Sequence, residues 1–319
     1  VARTPPSDDT ELLVTVARMY YEHSASQQQI AGRLGVSRPT VSRLLERARE
    51  TGIVRIEIIP PDVDPGLAER LRERLQLNAV HVAPGRADEA DPGPVLASSV
   101  ERALDEARPT TGDVMLVSWG RAVHSVSRRL HRAYPGVLIA PAMGGNAGDQ
   151  PWFQPNDTVR ILAQAVEGQA RYFHAPALLS PALYDTLLAE GQLDAILAMW
   201  ERAKVSLVGV GAWPKPDPSY AAAGFPVDDP ALERAAGDFA GWSFTIDGTL
   251  VPYRDGRRLL GVTPDQLAAI PHSICLAGAV SKAKPAIGAA RARLYNVLVT
   301  DAPTARAIEE HLDAEESRP

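Results

Sequence analysis

The sequence predicts an α/β protein of two parts, a small all-α unit with a short β wing followed by a large three-layer α/β domain of Rossmann-like layout. Three observations carry that prediction. From Thr10 to Arg49, apolar residues recur at three- and four-residue steps, the period of helices with one buried face. Ile53-Val54-Arg55-Ile56-Glu57-Ile58 then alternates as a strand does, until Pro60-Pro61 stops it. Beyond the prolines, short apolar runs alternate with helical patterns along the chain. A chain of 319 residues is too long for one ordinary core and suits one small and one large domain, placed at 1–60 and 61–319.

In the first part, Leu13, Val16, Ala17 and Tyr20 form one stripe, Ile30, Ala31 and Leu34 a second, and Val41, Leu44, Leu45 and Ala48 a third. In the second part, Leu67, Leu71 and Leu75 suggest a linking helix. Val114–Val117, Val137–Ile139, Val205–Val208, Ile274–Leu276 and Val297–Val299 read as buried strands. Helical patterns fall near 95–107, 122–132, 156–168, 181–201, 264–270, 282–292 and 302–314. Such alternation argues for a mostly parallel sheet covered by helices on both faces. Ligand sites of such sheets sit beyond the carboxyl ends of the strands. Proline and glycine gather in loops 84–94, 141–155 and 211–230, the kind of segment that carries function.

Composition narrows the classes. Hydrophobic residues are 45% and charged residues 23%, as in an average globular chain. No run approaches the roughly 18 apolar residues of a membrane span, so no membrane partner is expected. The N-terminus shows no basic segment leading into an apolar core, so no signal peptide is expected and the expected location is cytoplasmic. Cys275 is the only cysteine, which excludes an internal disulfide and a cysteine-based zinc cluster. Neither a metal site nor a cofactor is expected. The net charge of -6 argues against a chain that coats nucleic acid along its length. Residues 1–58 nevertheless carry eight Arg against seven acids, and five of those Arg fall within 37–55 against two Glu. A small basic face on an acidic body fits a chain that reads DNA at one place.

That place is Gln27 to Glu46, QQQIAGRLGVSRPTVSRLLE. Two tightly crossed helices need a small residue where they touch, a turn residue tolerant of positive φ, and apolar anchors on the second helix. Ala31, Gly35, Val41 and Leu44 stand at those offsets, with Ile30, Leu34 and Val36 filling the other inward positions. Ser37 is placed to cap the second helix, and Pro39 lies in its first turn, where a missing N–H costs little. This is the pattern of a helix-turn-helix. A plain helical hairpin gives no reason to array Arg38, Ser42, Arg43 and Arg47 on one exposed stripe, so the expected partner is double-stranded operator DNA. Arg38 and Arg43 are the candidates for guanine edges, Pro39 and Ser42 for neighbouring groove contacts. Gln27, Gln28 and Thr40 are candidates for phosphates, helped by the first helix N-terminus, and Arg55 for the backbone from the wing.

SRPTVSRLLERARETGIVRIEI (37–58) resembles the helix-turn-helix and wing of the SorC family of sugar-responsive bacterial regulators. The likeness continues in order through SWGRA (118–122), PAMGG (141–145), APALL (175–179), GVG (209–211), GDFAGWSFTIDG (237–248), AGAVSKAKPAIGAA (277–290) and VTDAPTA (299–305). The resemblance implies a large domain similar in fold to sugar-phosphate isomerases and deaminases, binding a sugar or sugar phosphate at the strand ends. It also implies a homo-oligomer, dimers assembling into tetramers on DNA.

The physics of the motifs points to the same effector site. Ser118 runs into Trp119, Gly120, Arg121 and Ala122 before a helix, offering backbone N–H groups to a phosphate. Gly144, Gly145 and Asn146 follow the next strand, and Gly209 and Gly211 a third, letting backbone approach a ligand. Lys282 opens a helix after the 274–276 strand, and its ammonium would neutralise a phosphate. By the resemblance, Lys282 is a ligand residue, and Asp238 and Asn156 match positions that touch ligand hydroxyls. Asp247-Gly248 reads as a hairpin turn. Two features depart from the family: Ala122 stands where a hydroxyl residue is usual, leaving Ser118 or Ser125 to substitute, and loop 146–155 is long and carries Trp152 and Phe153. The rival reading is a sugar-phosphate isomerase or deaminase with an accessory DNA-binding module. Asp238 and Asp301 could serve as its base, but no Asp-x-His loop is visible, and His124, His174 and His272 are scattered. The expectation is therefore a regulator without catalytic residues.

Overall fold

The computed structural model describes residues 8–54, 65–146, 148, 150–191, 193–214, 219–222, 224–254 and 256–317. The chain divides into two compact units, Val1–Pro60 and Pro61–Pro319. The wing strand expected at 53–58 falls largely outside the described residues, and so does Arg55.

Among the described residues the first unit holds three helices, α1 (Asp8–Tyr21), α2 (Gln27–Leu34) and α3 (Arg38–Glu50). The three apolar stripes converge: Val16, Ile30, Ala31, Val41 and Leu45 form one cluster, and Leu13, Ala17 and Ala48 a second beside it. Leu44 is only partly buried and touches both clusters. Tyr20, placed on a buried stripe by periodicity, is instead exposed near the helix end.

The second unit begins with α4 (Pro65–Arg74), whose Leu67 and Leu71 are buried together with Leu75 just beyond it. Its strands are β1 (Ala79–Ala83), β2 (Val114–Val117), β3 (Leu138–Pro141), β4 (Gln169–Ala170), β5 (Leu178–Leu179), β6 (Ala203–Ala212), β7 (Gly237–Phe239), β8 (Trp242–Phe244), β9 (Leu250–Val251), β10 (Arg258–Leu259), β11 (His272–Ala277) and β12 (Val297–Asp301). The remaining helices are α5 (Gly93–Ala107), α6 (Arg121–Ser127), α7 (Pro155–Ala165), α8 (Pro181–Ala189), α9 (Asp194–Glu201), α10 (Ser219–Ala222), α11 (Pro264–Ala269), α12 (Ala283–Arg291) and α13 (Ala302–Glu316). The single helical stretch expected at 181–201 is two helices, because Gly191 takes a φ of +67° between them.

The main sheet runs β1-β12-β11-β6-β2-β3-β4, with every one of these pairings parallel. Both faces are apolar, as strands buried on two sides require. Met115, Val117, Val205, Leu207, Ile274 and Leu276 pack under α5, α6 and α7. The alternate residues Leu116, Val208, Cys275 and Leu298 pack under α4, α9, α12 and α13. The result is three layers. The last residues of β6 leave this pattern and pair antiparallel with β7, which leads on to β8 and β9. Asp247-Gly248 lies in the turn joining β8 to β9, where Thr245 N–H reaches Thr249 O at 2.9 Å.

Strand order reverses between β2 and β6. From β2 the chain winds outward to β3 and β4, and from β6 it winds the other way to β11 and β12. In a doubly wound sheet the connections leave opposite faces at such a point, opening a crevice at the carboxyl ends.

Candidate functional site

The candidate DNA-reading face of the first unit rests on local capping. Ser26 and Gln29 form a capping box at the start of α2, and Gly35 ends it at φ +68°, donating its N–H to Ala31 O. Ser37 caps α3 by accepting the Thr40 N–H, and its hydroxyl lies 2.8 Å from Thr40 Oγ1. Ser37 and Thr40 are thus engaged in holding the helix start. With Val41, Leu45 and Ala48 turned inward, Arg38, Pro39, Ser42, Arg43 and Arg47 are all exposed. Gln28 is exposed and Gln27 half-buried in the first turn of α2. One correction concerns the stripe. At about 100° per residue, Arg38 and Arg47 lie about 180° apart around α3, so they flank a broad face rather than share a line. Pro39, Ser42 and Arg43 occupy its middle, and the exposed Glu46 lies between Ser42 and Arg43 one turn on.

The second unit has a cavity in the crevice at the switch point. It is lined by Ser118, Trp119, Gly120, Arg121 and Ala122 after β2, by Gly209 and Gly211 in β6, by Asp238 on β7, and by Lys282 after β11. Gly120 takes a φ of +129°, which a side chain resists, and donates its N–H to Trp152 O at 2.7 Å. This turn starts α6 and pins the segment carrying Trp152 and Phe153, both of which line the cavity. Ser118 is buried, and its hydroxyl accepts the Gly209 N–H at 3.4 Å while donating to Trp119 O at 3.0 Å. The contact ties the ends of β2 and β6 together. Ser125 is committed elsewhere, donating to Asp91, accepting the Gly93 N–H at 2.8 Å and meeting Arg129. The hydroxyl missing at Ala122 therefore has no replacement among these two serines.

One wall of the cavity is aromatic. Trp119 packs against Phe153, Tyr220 and Phe225 with ring centroids 5.2 to 5.6 Å apart, and Arg121 lies over the Trp152 ring at 5.6 Å. The indole N–H groups of Trp119 and Trp152 are buried and have no acceptor among the described residues. The cavity lining also carries an ion pair. Lys282 closes a short 3₁₀ turn and caps α12, and its Nζ lies 3.4 Å from Glu89 Oε1. Ala279, at the start of that turn, holds a φ of +95°, a strained value of the kind that gathers at ligand sites.

Four expected effector residues lie elsewhere. Gly144 does let backbone approach closely, but the backbone is the protein's own: a Cβ there would meet the carbonyls of Ala175 and Pro176 at 2.6 Å. Gly145 bonds Ala175 and Ala177 in the same contact, and with Asn146 it lines a separate, more open hollow beside His174 and Arg257. Asn156 turns its amide on Phe173, accepting its N–H at 3.0 Å and donating to its carbonyl at 2.9 Å, with Nδ2 also 3.4 Å from His174 Nδ1. That amide fastens α7 to the chain after β4. Sequence reasoning also missed residues, above all Glu89 and Tyr220. Both come from the loops at 84–94 and 211–230 that proline and glycine had marked.

Of the two carboxylates named for the rival reading, Asp238 lines the cavity and Asp301 does not. Asp301 is buried, and its Oδ2 accepts the Ala87 N–H at 2.8 Å, which makes it a staple for the 84–92 loop. No histidine is among the described cavity-lining residues. His272 opens β11 at the opposite end of the sheet from the cavity.

A model of sugar-binding domains, Sugar-bind, matches residues 64–309, and a homeodomain-like domain model matches residues 9–55. The chain is 31% identical over 312 residues to the sorbitol operon regulator of Klebsiella pneumoniae, covering 94% of this chain and 98% of that protein. It is 29% identical over 310 residues to the deoxyribonucleoside regulator of Bacillus subtilis, covering 93% and 97%. The crystal structure of full-length SorC from Klebsiella pneumoniae aligns with a TM-score of 0.75 at 30% identity, covering 95% of this chain and 99% of that one. Helix-turn-helix and sugar-binding domain follow one another here as they do along those relatives, and the chain belongs to the SorC family of sugar-responsive transcriptional regulators.

Proposed function

We propose that this protein regulates a carbohydrate-metabolism operon by binding operator DNA through α2 and α3, under control of a sugar or sugar phosphate held at the carboxyl ends of β2, β6 and β11. The observation that carries the reading is the composition of the crevice at the switch point. It joins an aromatic wall, buried indole donors and glycine turns to the cations Arg121 and Lys282. Aromatic faces suit the apolar face of a sugar ring, and the two cations an attached phosphate. The carboxylates among the described lining residues are Glu89 and Asp238.

The protein acts in the cytoplasm as a homo-oligomer, a dimer or tetramer. One helix-turn-helix contacts a short footprint, so tight binding calls for two half-sites spaced by whole helical turns of about 10 base pairs. Inserting roughly 5 base pairs between them should abolish tight binding, as a gel shift reads directly. A thermal-shift screen against sugars and sugar phosphates tests the effector. A ligand at 100 times its Kd raises stability by about 2.7 kcal/mol, and the same ligand should change operator affinity. Turnover of that ligand by the purified protein would favour the enzyme instead.

A further inference from the structure

We propose that Glu89 is a tethered anion, seated where the charged group of an effector would meet Lys282, and that it sets the charge preference of the cavity. The inference rests on the reading of the cavity as the effector site and goes beyond it to a residue that selects among effectors. Glu89 lies in the loop between β1 and α5, nearly two hundred residues from its partners. Its Oε1 stands 3.4 Å from Lys282 Nζ and accepts the Ser281 hydroxyl at 3.1 Å.

The loop is built to hold it there. Two residues before Glu89, the Ala87 N–H is fixed to the buried Asp301 at 2.8 Å. Two residues after it, Asp91 accepts the Ser125 hydroxyl and binds Arg129 at 2.6 Å. With both sides fastened to different elements, the carboxylate is delivered to the cavity rim with little freedom to lose. Lys282 keeps 18% of its side chain exposed and Glu89 44%, so the pair is held yet open to exchange.

Charge balance gives the consequence. The cavity-lining residues include two cations, Arg121 and Lys282, and two carboxylates, Glu89 and Asp238. A neutral polyol enters without disturbing that balance. A phosphate must displace Glu89 from Lys282 or sit against its negative charge. Glu89 therefore handicaps anionic effectors relative to neutral ones. An anion that wins the exchange also loosens one of the ties on the 84–92 loop.

The test uses Glu89→Gln, an isosteric change on an exposed loop, in the full-length protein. Two readouts are taken. The first is the acetylation rate of Lys282, with Lys284 as internal control. Removing the paired carboxylate should speed modification of Lys282 several-fold and leave Lys284 unchanged. The second is titration with inorganic phosphate, where affinity should rise about two- to five-fold in Glu89→Gln. That gain should vanish when Lys282→Ala is added. An unchanged Lys282 rate, or equal phosphate affinity in wild type and Glu89→Gln, overturns the proposal. A weaker neutral sugar in Glu89→Gln without a faster Lys282 also overturns it, making Glu89 a direct ligand contact. The reactivity readout needs no effector, so a sugar screen that finds no ligand would sink the effector reading separately.

Discussion

The two units solve opposite problems with opposite means. The reading face of α3 is built from residues within one helix, and the bonds that set it, Ser37 to Thr40 and Ser26 to Gln29, span three positions. Its side chains point outward from a small core, so they can change without disturbing what holds them. The cavity is the reverse. Its walls come from eight separate stretches between Glu89 and Lys282, and its ties run from Ala87 to Asp301 and from Ser281 to Glu89. There the residues that would meet a ligand also close the fold. Recognition is separable from stability in the first unit and entangled with it in the second.

The sharpest way to break that contrast is to strike the small core. Leu45→Ala removes a buried side chain from α3 and should cost about 2–5 kcal/mol, most of what so small a unit has. Operator binding should all but disappear while ligand binding by the second unit persists. Loss of both functions together would mean that the units do not fold independently. Arg43→Ala should cost about 1–3 kcal/mol on the operator and relax one position per half-site. Its melting temperature should not move, and equal losses on operator and random DNA would reduce Arg43 to a phosphate contact.

Gly120→Ala probes the entangled side. A side chain at φ +129° should cost about 1–3 kcal/mol of stability in the second unit. It should weaken the effector at the same time, while unliganded operator affinity holds. A variant that loses ligand at full stability would show the cavity to be as separable as α3. The smallest effect concerns pH. His81, His124 and His272, all in the second unit, have pKa values pushed below the ordinary imidazole value, chiefly by burial. The unfolded chain then takes up protons first, so stability of that unit should fall as pH drops below about 6.5 toward the lowered folded values. Calorimetry from pH 7.5 to 5.5 should show its transition moving down, with His124→Gln flattening the slope. A transition that rises on acidification would reverse the sign.

What the sequence made legible follows the same division. The caps, turn and inward anchors of α2 and α3 are local, so short-range rules found Gly35, Ser37, Val41 and Leu45 together. Five inner strands announced themselves as apolar runs because both their faces are covered. β1 did not, since it lies at the sheet edge, half-exposed, with His81 at its centre. β4, β5, β9 and β10 are two residues long, too short for any period to register. In the cavity, nine of the thirteen expected effector residues line it, carried by motif and strand ends. Gly144 and Asn156 went astray for one reason. A glycine or an amide beside a strand end looks alike whether it serves a ligand or the protein's own backbone, and only the position of residues 173–176 decides. Glu89 was invisible because its meaning depends on a lysine brought to it by folding.

The length of β6 has its own consequence. Its first part is locked between β2 and β11, and its last three residues set the ladder that places Asp238 opposite Gly211. Asp238 is thus indexed to the rigid centre of the sheet by hydrogen-bond register, independent of the chain that joins β6 to β7. Insertions and deletions in that connection are free to accumulate without moving the carboxylate, whereas a one-residue slip in the ladder would turn it to the other face. Diversification of the family's ligands is therefore cheapest in the segment between Trp213 and Ala236. That is where related chains of altered specificity should differ most in length.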